Sequence, residues 1–149
     1  LPLTRHSGPS MRIFLDANIL FSAAKSDGAV RTLLRRLIEA KHACWVDGYV
    51  VEEARRNLVA KGGGATAALD ALLPHLKVGA LQAIPSKSVE LDWLPDKDRP
   101  VLAAAIRLKC QALVTGDRTH FGAGYGKTFG GVTLYSPRQI AEALLSRPD

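Results

Sequence analysis

No apolar run in this chain approaches the roughly 18 residues needed to span a bilayer, and the opening stretch Leu1–Ser10 has no apolar core of the kind a secretory signal carries. A cytoplasmic protein without a membrane segment is therefore expected. Cysteine is scarce. Cys44 and Cys110 are the only two, each in an apolar context and with no CxxC pair, so two reduced buried thiols are expected in place of a disulfide or a thiolate metal site. There is no internal repeat and no low-complexity tract. Met11 leads a strand-like run and looks like a native start. Residues 1–10 are expected to be an appended remnant or a disordered extension, and residues 11–149 to form the folded domain.

What is present suits one compact domain. The chain has 149 residues, 47% hydrophobic and 23% charged, enough to bury a sizeable core. Its net charge of +6 favours a polyanionic partner such as RNA or DNA. The densest basic group, Arg31, Arg35, Arg36 and Lys41, fits a solvated helix face equally well.

The apolar pattern alternates between strand and helix. Arg12–Leu15 reads as a buried strand ending at Asp16. Ser26 or Asp27 is placed to cap a helix with Val30, Leu33, Leu34, Leu37 and Ile38 on one stripe. Ala43–Val46 reads as a second strand, followed by a helix from about Val50 to Lys61 that stops at Gly62-Gly63-Gly64. Helix Ala65–Leu76, strand Leu81–Pro85, helix Val101–Lys109, strand Ala112–Thr115, strand Val132–Tyr135 and a last helix from Pro137 to about Ser146 complete the series. Such alternation predicts an α/β fold, a three-layer α/β/α sandwich around a mainly parallel sheet of about five strands.

In such a sheet, functional groups gather beyond the carboxyl ends of the strands. Asp16 ends the first strand there, and Asp117 follows the fourth. Glu53 falls on the margin of the stripe Val50, Val51, Ala54 and Leu58, whereas Glu52 points further into solvent. Asp98 opens the helix before the strand that leads to Asp117. Each has a plainer reading: Asp98 as a helix cap before Pro100, Asp117 and Asp16 as turn residues, Glu53 as an exposed helix glutamate. Together, four acids at one edge would repel one another and raise each other's pKa unless a cation lies among them. Mg2+ or Mn2+ prefers such oxygen ligands, and can activate water and stabilise the leaving oxygen of a phosphodiester.

Four segments in order carry a family resemblance. Ile13-Phe-Leu-Asp16-Ala-Asn18-Ile-Leu20 resembles the opening strand and turn of PIN domains. Tyr49-Val-Val-Glu-Glu53-Ala-Arg-Arg-Asn-Leu58 resembles their second acidic segment, Asp98-Arg-Pro-Val-Leu-Ala-Ala-Ala105 their third and Leu113-Val-Thr-Gly-Asp117 their fourth. The resemblance implies a Mg2+- or Mn2+-dependent endoribonuclease with Asp16, Glu53, Asp98 and Asp117 as the catalytic metal ligands. It places Asn18 and Thr115 as supports through hydrogen bonds, although both also suit local backbone bonding. The Val-Leu-Ala-Ala-Ala run sets the register on Asp98 and not on the nearby Asp96. It further implies an RNA substrate, a homodimer and, for many family members, the toxin role of a toxin–antitoxin pair with an antitoxin protein as partner.

Gly122-Ala-Gly-Tyr-Gly-Lys-Thr128 is not a phosphate loop, because the first glycine of that pattern falls on Phe121. A mobile loop beside the acids is expected, from which Lys127 or Tyr125 would reach RNA; His120 would be a base, a phosphate contact or a turn residue. Trp45 is expected in the core. Two alternatives remain: a non-catalytic module binding RNA or protein, and an aspartate-nucleophile phosphatase of the haloacid-dehalogenase kind. The second is opposed by Asp16-Ala-Asn18, which lacks the second carboxylate of DxDxT.

Overall fold

The computed structural model describes residues 10–82 and 88–145. The chain runs β1 (Arg12–Leu15), α1 (Ala17–Lys25), α2 (Ala29–Glu39), β2 (Ala43–Asp47), α3 (Gly48–Lys61), α4 (Thr66–Leu72) and β3 (Lys77–Gly79). It continues through α5 (Arg99–Arg107), β4 (Ala112–Val114), α6 (Arg118–Phe121), β5 (Thr128–Phe129), β6 (Val132–Tyr135) and α7 (Pro137–Leu145). Short 3-10 turns occupy Leu73–His75, Asp96–Asp98 and Gly122–Gly124.

The sheet has six strands in the order β3-β2-β1-β4-β6-β5. All neighbours are parallel except the β5–β6 pair. The α/β sandwich with a mainly parallel sheet is thus what the sequence pattern predicts, with a two-residue antiparallel edge added. Ile13, Phe14 and Leu15 of β1 and Ala112, Leu113 and Val114 of β4 are all fully buried. Successive strand residues point to opposite faces, so three buried in a row require cover on both sides. The chain winds outward from β1 through β2 to β3, then returns to place β4 on the other flank of β1. That reversal opens a crevice at the carboxyl ends of β1 and β4, where Asp16 and Asp117 lie.

Several local expectations are corrected. The third strand is Lys77–Gly79, paired with Trp45–Asp47, and not 81–85; of that expected strand, residues 83–85 lie outside the described residues. The observed strand is too short to announce itself by alternation, and pairing with β2 decides it. Neither Ser26 nor Asp27 caps α2: Gly28 occupies the cap position without a side-chain bond, and Asp27 instead faces Arg35 at 3.8 Å. The helix expected over 65–76 ends as α4 at Leu72 and tightens into a 3-10 turn containing Pro74, whose missing N–H cannot continue an α-helix. In the glycine-rich loop, a Cβ on Gly124 would stand 2.6 Å from the Trp93 indole, so the Gly122–Gly124 turn is packed there, while Gly126, Lys127 and Thr128 are exposed. Helix α1, with Asp16 as its cap, has no counterpart in the pattern reading.

Trp93 stacks on Phe129 at 4.8 Å and meets Phe121 edge-on at 6.3 Å, forming an aromatic brace under the carboxyl edge. Trp45 is half-buried, with the Arg12 guanidinium 4.4 Å from its ring centre. Cys44 and Cys110 are buried free thiols, and burial pushes them up to about 12 and about 11.

Candidate functional site

Asp16 is the first polar residue after three fully buried ones, so β1 delivers it to the sheet edge. Its N–H continues the ladder to the Val114 carbonyl at 3.0 Å. Its carboxylate caps α1, with Oδ1 accepting from the Ala17 N–H at 2.7 Å. Oδ2 accepts from the Thr115 hydroxyl at 2.8 Å and the Asn18 amide at 3.1 Å. Asp16 is thus a helix cap and at the same time lines the cleft at the sheet edge. Asp16 is only 6% exposed, and burial pushes its carboxyl up to about 6, helped by the charges of Glu53 and Asp98 and opposed by the Thr115 and Ala17 bonds.

Thr115 and Asn18 tie β1 to β4 at this point. The Asn18 amide also donates toward Thr115 Oγ1 at 3.3 Å, while its Oδ1 accepts from the Gly116 N–H at 2.8 Å. Thr115 Oγ1 accepts from the Asp117 N–H at 3.1 Å. The Tyr125 hydroxyl, expected in the loop as a possible RNA contact, donates instead to the Thr115 carbonyl at 2.6 Å. The end of β4 is thus fixed from both sides.

Asp117 caps the short α6, its Oδ1 accepting from the His120 N–H at 3.1 Å. Its Oδ2 lies 2.8 Å from His120 Nδ1. Asp98 occupies the cap position of α5 but makes no capping bond with its side chain. The side chain turns into the cleft, where Oδ2 is buried with no hydrogen-bond partner. His120 Nδ1 stands 3.1 Å from that oxygen, within ion-pair range. Burial raises the Asp98 pKa, the Asp117 charge adds to it, and His120 and Lys97 oppose. Asp96 faces solvent in an ion pair with Arg99 at 3.0 Å. On α3, Glu53 is half-buried on the cleft wall, while Glu52 is exposed and 3.7 Å from Arg56.

These elements enclose a cleft of about 110 Å3 lined by Asp16, Asn18, Phe21, Glu53, Asn57, Lys61, Lys97, Asp98 and Asp117. All four acids singled out by the sequence share it. Lys127 does not line it, being exposed in the turn before β5. Phe21, Asn57, Lys61 and Lys97 were not anticipated. Asn57 and Lys61 follow Glu53 at steps of four along α3, so helical spacing alone carries the signal; nothing local marks Phe21.

An oxygen-rich donor set with a buried carboxylate oxygen that makes no hydrogen bond, and has only an imidazole nitrogen 3.1 Å away as ion-pair partner, fits a hard divalent cation. Among the described residues, ligand atoms of Asp98, Asp117 and His120 lie within 4.8 Å of one another. Asp16 and Glu53 share the same cleft.

The family model described as "PIN domain" matches residues 12–119, and the chain belongs to that family. Among solved structures the chain is similar to VapBC2 from Rickettsia felis, bound to a promoter DNA fragment, at 15% identity and a TM-score of 0.60, covering 85% of this chain and 98% of that one. It is also similar to VapC20 from Mycobacterium tuberculosis, at 17% identity and a TM-score of 0.53, covering 78% of this chain and 98% of that one. At such identities the likeness is one of fold. No curated protein matches the sequence.

Proposed function

We propose that this chain is a divalent-metal-dependent endoribonuclease acting at the Asp16, Glu53, Asp98 and Asp117 cleft. The observation that carries the reading is the buried Asp98 Oδ2, which has no hydrogen-bond partner in a cleft walled by three further carboxylates. Those four side chains would hold Mg2+ or Mn2+. When bound, such an ion supplies positive charge to a phosphodiester and lowers the pKa of water.

The remaining residues hold and orient. Asn18 and Thr115 fix Asp16 in one rotamer through the bonds described above, so its outward lone pairs keep a set direction. Lys61 and Lys97 on the cleft rim offer ammonium groups to the phosphates of a bound strand. The Phe21 ring lies in the same wall, with Lys25 Nζ 5.6 Å and Lys61 Nζ 5.7 Å from its centre. An aromatic face flanked by cations suits one base and its phosphates. The net charge of +6 favours the same polyanion.

The toxin role belongs to this reading. VapC20 is described as a sarcin-ricin loop cleaving toxin and VapBC2 as bound to promoter DNA, which supports an RNA substrate and an antitoxin partner here. Such a partner would cover the acidic cleft and offer Arg or Lys to its carboxylates. A homodimer in the cytoplasm is the remaining part of the reading, tested by sedimentation of the purified protein.

One experiment tests the chemistry. Labelled RNA is incubated with the protein and Mg2+, Mn2+ or chelator, beside Asp16→Asn. Cleavage only with metal and only by the wild type is expected; cleavage that survives both chelator and the substitution overturns the proposal. For the biological role, induced expression should arrest growth in the wild type and not in Asp16→Asn.

A further inference from the structure

His120 has no assigned role in a four-carboxylate site and does not line its cleft, yet it touches two of its acids. It sits on α6 one turn after Asp117, and its Nδ1 approaches Asp117 Oδ2 to 2.8 Å and Asp98 Oδ2 to 3.1 Å. One ligand atom from each of the three lies within 4.8 Å of the others. Two metal–ligand bonds of about 2.1 Å placed end to end span about 4.2 Å, so a single ion bridges such a group with small adjustments.

Two further observations point to a ligand. Asp98 is 8% exposed and its inward Oδ2 has no hydrogen-bond partner. Asp117 serves the helix cap through Oδ1, while its Oδ2 is hydrogen-bonded with His120 Nδ1 at 2.8 Å, a contact whose shared proton a bound cation would replace. Three donor atoms thus converge, each on a side chain whose backbone is held by the cap of α6 or the start of α5.

We propose that His120 Nδ1 is a metal ligand together with Asp98 and Asp117, and that this nitrogen makes the site select Mn2+ or a similar borderline divalent cation over Mg2+. Mg2+ demands oxygen ligands in near-ideal octahedral geometry and gives up water reluctantly. Transition metals bind imidazole more strongly, in the order Mn2+ upward. The role differs from a base or phosphate contact, because the ring faces two carboxylates and not open cleft.

The inference rests on the proposed metal-dependent reading and extends it to the identity of the ion. The test is a Mn2+ titration of the full chain followed by electron paramagnetic resonance, with pulsed detection of nitrogen coupled to the bound ion. Wild type should bind Mn2+ more tightly than Mg2+ and show imidazole nitrogen coupling. His120→Ala should lose the coupling and bind Mn2+ about 10-fold or more weakly, with Mg2+ affinity changing less. Mn2+ bound without nitrogen coupling in the wild type, coupling that survives His120→Ala, or unchanged or tighter Mn2+ binding by that variant overturns the ligand role alone. The wild-type spectrum decides the matter even where the variant fails to fold. No binding of either ion by the wild type overturns both this inference and the metal-dependent reading beneath it.

Discussion

Asp16 and Asp47 occupy equivalent places in two halves of the sheet. Each ends a parallel strand, each is buried, and each caps the following helix, Asp16 through the Ala17 N–H and Asp47 through the Val50 N–H. Burial raises the pKa of both. The difference lies in the neighbours. Asp47 has the Arg107 guanidinium 3.8 Å away, which opposes the shift. Asp16 has Glu53 and Asp98, which add to it. A strand-end aspartate is therefore structural where the fold supplies a counter-cation, and becomes a candidate ligand where it supplies more carboxylates.

The largest expected effect is on cleavage. Asp16→Asn keeps size and much of the hydrogen bonding but removes the charge, and should lower metal-dependent RNA cleavage by about 10^3-fold, several kcal/mol of charge stabilisation. Asp47→Asn should leave cleavage per folded molecule unchanged. Equal losses at the two positions would break the comparison.

Next in size is pH dependence without metal. The folded Asp16 carboxyl takes up its proton at about 6 and the unfolded one at 3.8. Between those values the folded state binds more protons, so stability falls as pH rises and is highest at the acid end of the window. The loss from this group is at most about 3 kcal/mol. Urea unfolding of wild type and Asp16→Asn across that range should show the slope in the first and a flatter profile in the second. Added Mn2+ at neutral pH should restore stability to the wild type.

Asp47→Ala removes the α3 cap and leaves Arg107 without its carboxylate, which should cost about 1–3 kcal/mol in the same unfolding assay. The smallest effect concerns backbone strain. Lys109 follows α5 at φ 58°, and the helix closes through the Cys110 N–H to Ala105 carbonyl bond at 2.9 Å, a position glycine suits better. Lys109→Gly should raise stability by about 0.5–1 kcal/mol and shift the melting temperature upward.

How far this was legible in the sequence follows from the kind of signal each residue carries. Asp16 and Asp117 stand out because short apolar strands lead to a carboxylate, and a parallel sheet puts strand ends on one edge. Glu53 emerges from helical spacing, and Asp98 from the apolar run after it. The third strand was not legible, because Lys77–Gly79 is held by pairing with β2 and carries no alternation of its own. Helix α1 was hidden because Asp16 reads as the end of a strand while also starting a helix. Phe21 and Lys97 reach the cleft from elements far apart in sequence, and only the fold brings them together. The contrast between Asp16 and Asp47 was likewise closed to the sequence, since Arg107 meets Asp47 across the fold.

The most direct measurement of the central claim is a calorimetric titration of Mn2+ into wild type, Asp16→Asn and Asp47→Asn. The predicted result is binding by wild type and Asp47→Asn alike, with Asp16→Asn weaker by about 10-fold or more. Undiminished binding by Asp16→Asn, or a selective loss in folded Asp47→Asn, would contradict it.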